Sequence, residues 1–362
     1  MNIRRPLLTL AVLAGLAPLA AHAEEDILTY QVLNCEKECL PHNSAMVIST
    51  PLPEYPMRYR GSEGPYVEAL VDVDFTIALD GSVKNTIVEN LLGPQEFADN
   101  ALRAVSLRHY QPATEGGKPV EENHRVRFMF EVHSANRGAR RDVVDGYARA
   151  MRLAGDNKPA DALAELDAIA ARPQLNLYER TMVAYAQALL DGQSGDYRSG
   201  RDAIRIATIL TGQFLDSRSL GDAFRLRIRL EALTGEFAEA FTWFGILRDK
   251  GLTRPDDPEG KLVDKLHALI AAPEPLAMDG NIPAAGTPVF WQHTLLRRSF
   301  EFHQVVGKLE RFELHCQRHN MIAPIDQASN WTVPASWSGC FVNVQGAPDT
   351  KFQFVEFQPA TP

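Results

Sequence analysis

Hydrophobic positions repeat with period two in one part of the chain. Val71, Val73, Phe75, Ile77 and Leu79 alternate with Asp72, Asp74, Thr76 and Ala78, which predicts a strand with one buried and one polar face. Asp80-Gly81 follows, a dipeptide that tolerates the positive φ of a tight hairpin turn. A second extended run covers Val83 to Leu91. Gly93-Pro94 then opens a helix, with Pro at its first position and Glu96 in its first turn. Phe97, Ala101, Leu102 and Val105 share one face of that helix, which stops before Gln111-Pro112. After a turn at Gly116-Gly117, Val126, Phe128, Phe130 and Val132 alternate again. The predicted order is strand, strand, helix, strand.

From about Asp142 to Ala272 the period changes to that of helices. The pattern predicts helices over Asp142–Gly155, Pro159–Arg172, Leu175–Leu190, Tyr197–Leu210, Leu220–Thr234, Phe237–Lys250 and Lys261–Ala271. Their short connections require antiparallel packing. Gly155-Asp156, Gly195-Asp196-Tyr197 and Gly235-Glu236-Phe237 recur about 40 residues apart, each before a new helix. A Gly-acidic-aromatic turn followed by an Ala-rich helix start resembles tetratricopeptide repeats, in degenerate form. An irregular helical domain is the alternative.

Residues 273–288 hold four prolines and read as a linker. Beyond it, runs at Leu309–Cys316, Trp331–Pro334, Cys340–Val344 and Phe352–Phe357 predict strands, with Gly346 to Thr350 as a hairpin between the last two. The predicted fold class is α+β and multidomain. A β-β-α-β module spans residues 50–136, an antiparallel helical array spans 140–272, and a small β domain stapled by a disulfide spans 289–362. Residues 24–49 form a separate N-terminal segment.

The first module resembles the C-terminal domain of TonB-type energy transducers. The matching residues are Tyr55-Pro56, Gly61-Ser62-Glu63-Gly64, Val73-Asp74-Phe75-Thr76-Ile77 and Asp80-Gly81-Ser82-Val83. Phe97-Ala98-Asp99-Asn100-Ala101-Leu102-Arg103-Ala104-Val105, Tyr110-Gln111-Pro112-Ala113, Gly117-Lys118-Pro119-Val120 and Val126-Arg127-Phe128 complete it. Pro65-Tyr66-Val67-Glu68 departs from the family pattern as an insertion before the first strand. The resemblance implies that an extended partner segment adds to the last strand, here Arg125–Val132. The binding residues would be Arg125, Val126, Arg127, Phe128, Met129 and Phe130, with Arg125 and Arg127 meeting acidic groups of the partner.

The N-terminus bears on location. Arg4 and Arg5 precede an apolar run from Leu7 to Ala21, and Ala21-His22-Ala23 fits a cleavage site before Glu24. Residues 1–23 therefore read as a secretory signal peptide, since the run is short of the ~20 residues a membrane-spanning helix needs. Its removal takes away Arg4 and Arg5 and moves the formal charge from −9 to −11. Such an acidic chain has no basic surface for nucleic acid. The expected location is the Gram-negative periplasm, without membrane insertion after cleavage. Cys35, Cys39, Cys316 and Cys340 are an even set in an oxidising compartment. Three connectivities exist, and proximity favours Cys35–Cys39 with Cys316–Cys340. A redox or metal site is the rival use of these thiols.

Candidate chemistry is sparse. His315, Cys316 and His319 lie close in sequence, as metal ligands do. Ser336-Trp337-Ser338-Gly339 lacks the first glycine of a nucleophile elbow. Asp72 and Asp74 are two apart and could flank a sugar, though a solvated sheet face accounts for them more simply, and His109, His124 and His133 border the first module. No cofactor is implied. Three function classes follow. The expected one is a non-catalytic scaffold of the cell envelope that binds a protein or peptide segment through the TonB-like module, the helical array or both. The second is a TonB-type energy transducer with an uncleaved anchor, and the third an enzyme with its site in the last β domain.

Overall fold

The computed structural model describes residues 42–61, 64–65, 67–131, 138–210, 214–215, 217–254, 256–284, 290–325 and 330–358. Residues 1–23, read as a signal peptide, and Cys35, Cys39, Val132 and His133 lie outside the described residues.

The first module holds β1 (His42–Asn43), β2 (Met46–Ser49), β3 (Arg60–Gly61), β4 (Gly64–Pro65), β5 (Ala69–Ile77), β6 (Val83–Leu92), helix α1 (Gln95–Ser106), β7 (His109–Gln111), β8 (Ala113–Glu115), β9 (Lys118–Val120) and β10 (Glu122–Phe130). Its main sheet has the antiparallel order β10-β5-β6. Asp80 tightens the β5–β6 turn by accepting hydrogen bonds from the Ser82 N–H and hydroxyl at 2.9 and 2.6 Å. Gly81 has φ +82°, and a Cβ there would fall 1.8 Å from the Tyr110 carbonyl oxygen, so both conformation and space demand glycine. Pro94 sits one position before α1, as its N-cap residue. Val71, Val73, Phe75 and Ile77 face the helix and pack with Phe97, Ala101, Val105, Val126, Phe128 and Phe130. The N-terminal segment joins this module, because β1 pairs with β8 and β2 with β7.

Helices α2 (Arg141–Gly155), α3 (Pro159–Ala170), α4 (Leu177–Ser194), α5 (Tyr197–Thr208), α6 (Ser217–Leu233), α7 (Phe237–Asp249) and α8 (Pro258–Ala271) form the second part. Each packs on the next. The three Gly-acidic turns close α2/α3, α4/α5 and α6/α7. Asn176 starts α4 with a capping box: its side chain accepts from the Glu179 N–H while Glu179 accepts from the Asn176 N–H. The same buried Glu179 holds Arg140 through two guanidinium nitrogens at 3.0 Å, fixing the entry to α2.

The third part contains β11 (Leu276–Asn281), β12 (Trp291–Thr294), β13 (Ser299–Val306), β14 (Leu309–Cys316), β15 (His319–Pro324), β16 (Trp331–Thr332), β17 (Phe341–Gly346) and β18 (Lys351–Phe357). Two four-stranded sheets, β11-β18-β13-β16 and β12-β17-β14-β15, enclose Phe300, Phe302, Phe312, Phe352 and Phe354. Two expectations change here. Residues 276–281, within the stretch read as a linker, form a strand paired with β18. Gly346 to Thr350 is not a hairpin, because β17 and β18 lie in different sheets and the segment carries the chain from one to the other. Cys316 and Cys340 are bonded, joining the end of β14 to the start of its neighbour β17.

Arg297 links the last two parts. Its buried guanidinium donates to the carbonyls of Leu269, Ile270, Ala272 and Glu274 at 2.6–3.2 Å, where α8 ends. A cation there satisfies carbonyls that lack intrahelical partners and complements the helix dipole.

Candidate interaction surface

Strand β10 pairs with β5 in unbroken register, which places side chains directly opposite one another on each face. On the helix-facing side, Phe128 stands opposite Val71 and Val126 opposite Val73. On the other side the pairs are Met129 with Leu70, Arg127 with Asp72, Arg125 with Asp74 and Asn123 with Thr76. Of the six residues expected to bind a partner, Val126, Phe128 and Phe130 are therefore core.

Both arginines have intrachain partners. Arg127 grips Asp72 through Nε and Nη2 at 2.7 and 2.8 Å and donates from Nη1 to the Ile209 carbonyl of the helical layer. Asp72 is 1% exposed, so it does not lie on a solvated face. Arg125 holds Asp74 through Nε and Nη2 at 2.5 and 2.7 Å and lies 3.5 Å from Glu89. Met129 packs with Leu70, Leu92, Leu177, Ile209 and Leu210. The Asn123 amide nitrogen donates to the Cys316 carbonyl and to Asn320 Oδ1, both 2.9 Å away in the last domain. Glu68, in the insertion before β5, accepts from the Leu177 N–H at the start of α4. The second face of the sheet is thus covered by the helices at one end and by the last domain at the other. What β10 keeps is its outer backbone edge: among the described residues, β5 is its one strand partner.

A second cluster on β10 was not visible in the sequence. Glu122 accepts from His42 Nε2 at 3.1 Å, from His124 Nε2 at 2.8 Å and from the Ala45 N–H at 2.8 Å. Burial pushes this carboxyl up, but the bonds from His124, Ala45 and His42 outweigh it and hold it at about 2. Glu122 thereby ties the N-terminal strands to the sheet. No spacing rule joins His42 to residues 122 and 124, so the cluster has no signature in the sequence.

The other candidates separate. His315 is buried, bonded through Nδ1 to Asn320 at 2.9 Å and stacked on Phe341. Its neighbour Cys316 is in the disulfide, and His319 stacks on Trp337. Burial lowers the His319 pKa. Among the described residues, no group of three or more His, Cys, Asp or Glu is placed to hold a metal ion. Trp337, from the Ser-Trp-Ser-Gly stretch, packs against the last domain's core. His109 lies on β7, paired with Ser49. A cavity of about 550 Å³ opens between the α4/α5 and α6/α7 turns and β11, lined in part by Tyr197, Leu233, Phe237 and Met278.

Residues 51–132 match the family described as Gram-negative bacterial TonB protein C-terminal. The match makes one module of the chain TonB-like and leaves the helical array and the last domain outside it. The solution structure of the Pseudomonas aeruginosa TonB C-terminal domain is 25% identical, with 26% of this chain and 91% of that chain covered and a TM-score of 0.23. A structure of Streptomyces albus HEPD with 2-hydroxyethylphosphonate and Fe(II) bound is 10% identical, with 91% of this chain and 78% of that chain covered and a TM-score of 0.15. At such TM-scores neither likeness bears on fold or function. No curated protein matches the chain. Among the described residues, no helix is long and apolar enough to cross a membrane.

Proposed function

We propose that this chain is a non-catalytic interaction protein of the Gram-negative cell envelope, exported to the periplasm, which binds an extended segment of an envelope protein by strand addition to β10. The observation that carries this is the outer edge of β10, unpaired by any other described strand, in a module that matches the TonB C-terminal family. Strand addition draws affinity from backbone hydrogen bonds, so it needs a free edge and not free side chains. The pairing of Arg125 and Arg127 within the chain therefore removes their role in meeting acidic partner groups and leaves the backbone role intact. The helical array, read as degenerate tetratricopeptide-like hairpins, braces the sheet and offers a second surface for partners.

The test is a photo-crosslinking residue placed at Arg125 or at Glu131 in whole cells. Capture of an envelope protein through a short extended segment supports the proposal. If crosslinks from both positions reach only this chain, the edge is internal and the function lies elsewhere.

A further inference from the structure

Glu89 occupies an irregular place in the β5–β6 ladder. Asn90 stands opposite Asp72 and Val88 opposite Val73, so Glu89 is the extra residue of a β-bulge. Bulges bend a strand and re-aim a side chain. Here the Glu89 carboxyl lies 3.5 Å from Arg125 and is 18% exposed. Arg125 is already held by both oxygens of Asp74.

The groups facing Glu89 come from four further elements. Asp74 belongs to β5 and Arg125 to β10, while Arg205 on α5 and Glu239 on α7 act on it from the helical layer. Arg205 is committed to Glu231 on α6 through two bonds of 2.8 and 2.7 Å. Arg227 on α6 lies 3.2 Å from Glu231 and 3.5 Å from Glu239, and its guanidinium sits 3.9 Å above the Trp243 ring. Three guanidinium groups thus serve four carboxylates, Asp74, Glu89, Glu231 and Glu239. Glu89 and Glu239 have neither a bidentate partner nor a short contact, and Glu89 is the more buried of the two, 18% exposed against 39%.

We propose that docking of the helical layer onto the second face of the TonB-like sheet is proton-coupled, with Glu89 as the group that takes up the proton. A neutral Glu89 relieves the excess negative charge between Asp74 and Glu239 and leaves Arg125 wholly to Asp74. Burial is the largest influence on this carboxyl; Arg125 opposes it, Asp74 and Glu239 add to it, and the result lies at about 7. A glutamate raised from 4.5 stabilises the docked state fully below about 4.5, and that contribution is lost as pH rises through about 7. The docked sheet therefore tightens on mild acidification and loosens toward alkaline pH.

The experiment is amide hydrogen exchange on the full chain between pH 5 and 8.5, corrected for the intrinsic pH dependence of exchange. The reporters are Met129, Ile209 and Leu210, which pack across the interface. In the wild type their opening constant should rise with pH by up to about tenfold per unit, the limit for one coupled proton, and level off above about 7.5. Glu89→Gln, a fixed neutral mimic, should stay protected and lose the dependence. Glu239→Gln should keep the dependence but move its midpoint to lower pH. The proposal is overturned if Glu89→Gln retains the wild-type profile, if it loosens the interface at every pH, or if the wild type shows no dependence.

Discussion

The two faces of the β10-β5-β6 sheet are both covered, by different means. One face is closed by α1 with Phe97, Val105 and their neighbours, an apolar layer that needs no pairing. The other is closed by the helical layer and the last domain over a ladder of polar cross-strand pairs. Removing water from an apolar side chain is favourable in itself, whereas a buried charge must be matched by a partner. The first face therefore tolerates changes of shape that preserve volume, while the second tolerates only changes that leave no charge without its partner.

The sharpest way to break the apolar face is Phe97→Ala. It removes a fully buried ring that stacks on Tyr59 and meets Phe130 edge-on, and it should cost about 3–5 kcal/mol in urea unfolding. On the other face, Asp72→Ala strands Arg127 and should cost about 3 kcal/mol, the low end for a buried pair because Arg127 is partly exposed. The double change Asp72→Leu with Arg127→Met should recover much of that loss; if it is as unstable as the single change, pairing is not what governs this face. Reducing Cys316–Cys340, which meets the second face only through the Cys316 carbonyl, is a control. It opens a loop with a sequence separation of 24 and should remove about 3 kcal/mol, with lost exchange protection confined to β14 and β17. Arg125→Ala should cost about 1–2 kcal/mol, less than Asp72→Ala because the Asp74 left behind keeps more solvent than Asp72 does.

The smallest expected effect separates the faces by pH. Glu122 lies at the open end of the apolar face, opposite Ile77. Its depressed pKa means that its contribution is present above the ordinary 4.5 and is lost as pH falls toward 2. Glu122→Gln should flatten the acid limb of a stability-versus-pH curve below about pH 4.5 and expose the amides of residues 42–49 to exchange. An unchanged acid limb would show that other carboxylates account for it.

The apolar face was readable from alternation at Val71, Val73, Phe75 and Ile77, and the Asp80-Gly81 turn and the helices from their own local chemistry. The second face was not. Asp72, Asp74 and Thr76 alternate in the same way whether they meet water or Arg127, Arg125 and Asn123 beneath another domain. Period two reports polarity, not what lies opposite. Strand β11 was hidden for a different reason. Leu276–Asn281 sits among prolines and includes Asp279, Gly280 and Asn281, residues disfavoured in strands, so pairing with β18 decides its form. The passage at Gly346 to Thr350 has the look of a tight turn in sequence, and only the packing of two phenylalanine-lined sheets determines that it crosses between them. Glu89 gave no signal at all, because a bulge is a property of two strands together.

Arg297 has a consequence for the order in which the molecule is completed. The carbonyls ending α8 find their donor on a residue synthesised well after that helix, so a nascent chain halted before residue 297 carries an unfinished final turn. The helical layer cannot mature strictly from its own sequence; its last turn waits for the arrival of the sandwich. A chain truncated after Ala271 should therefore fray from α8 backward, while a chain carrying Arg297→Met should make the whole sandwich and still leave that seam open.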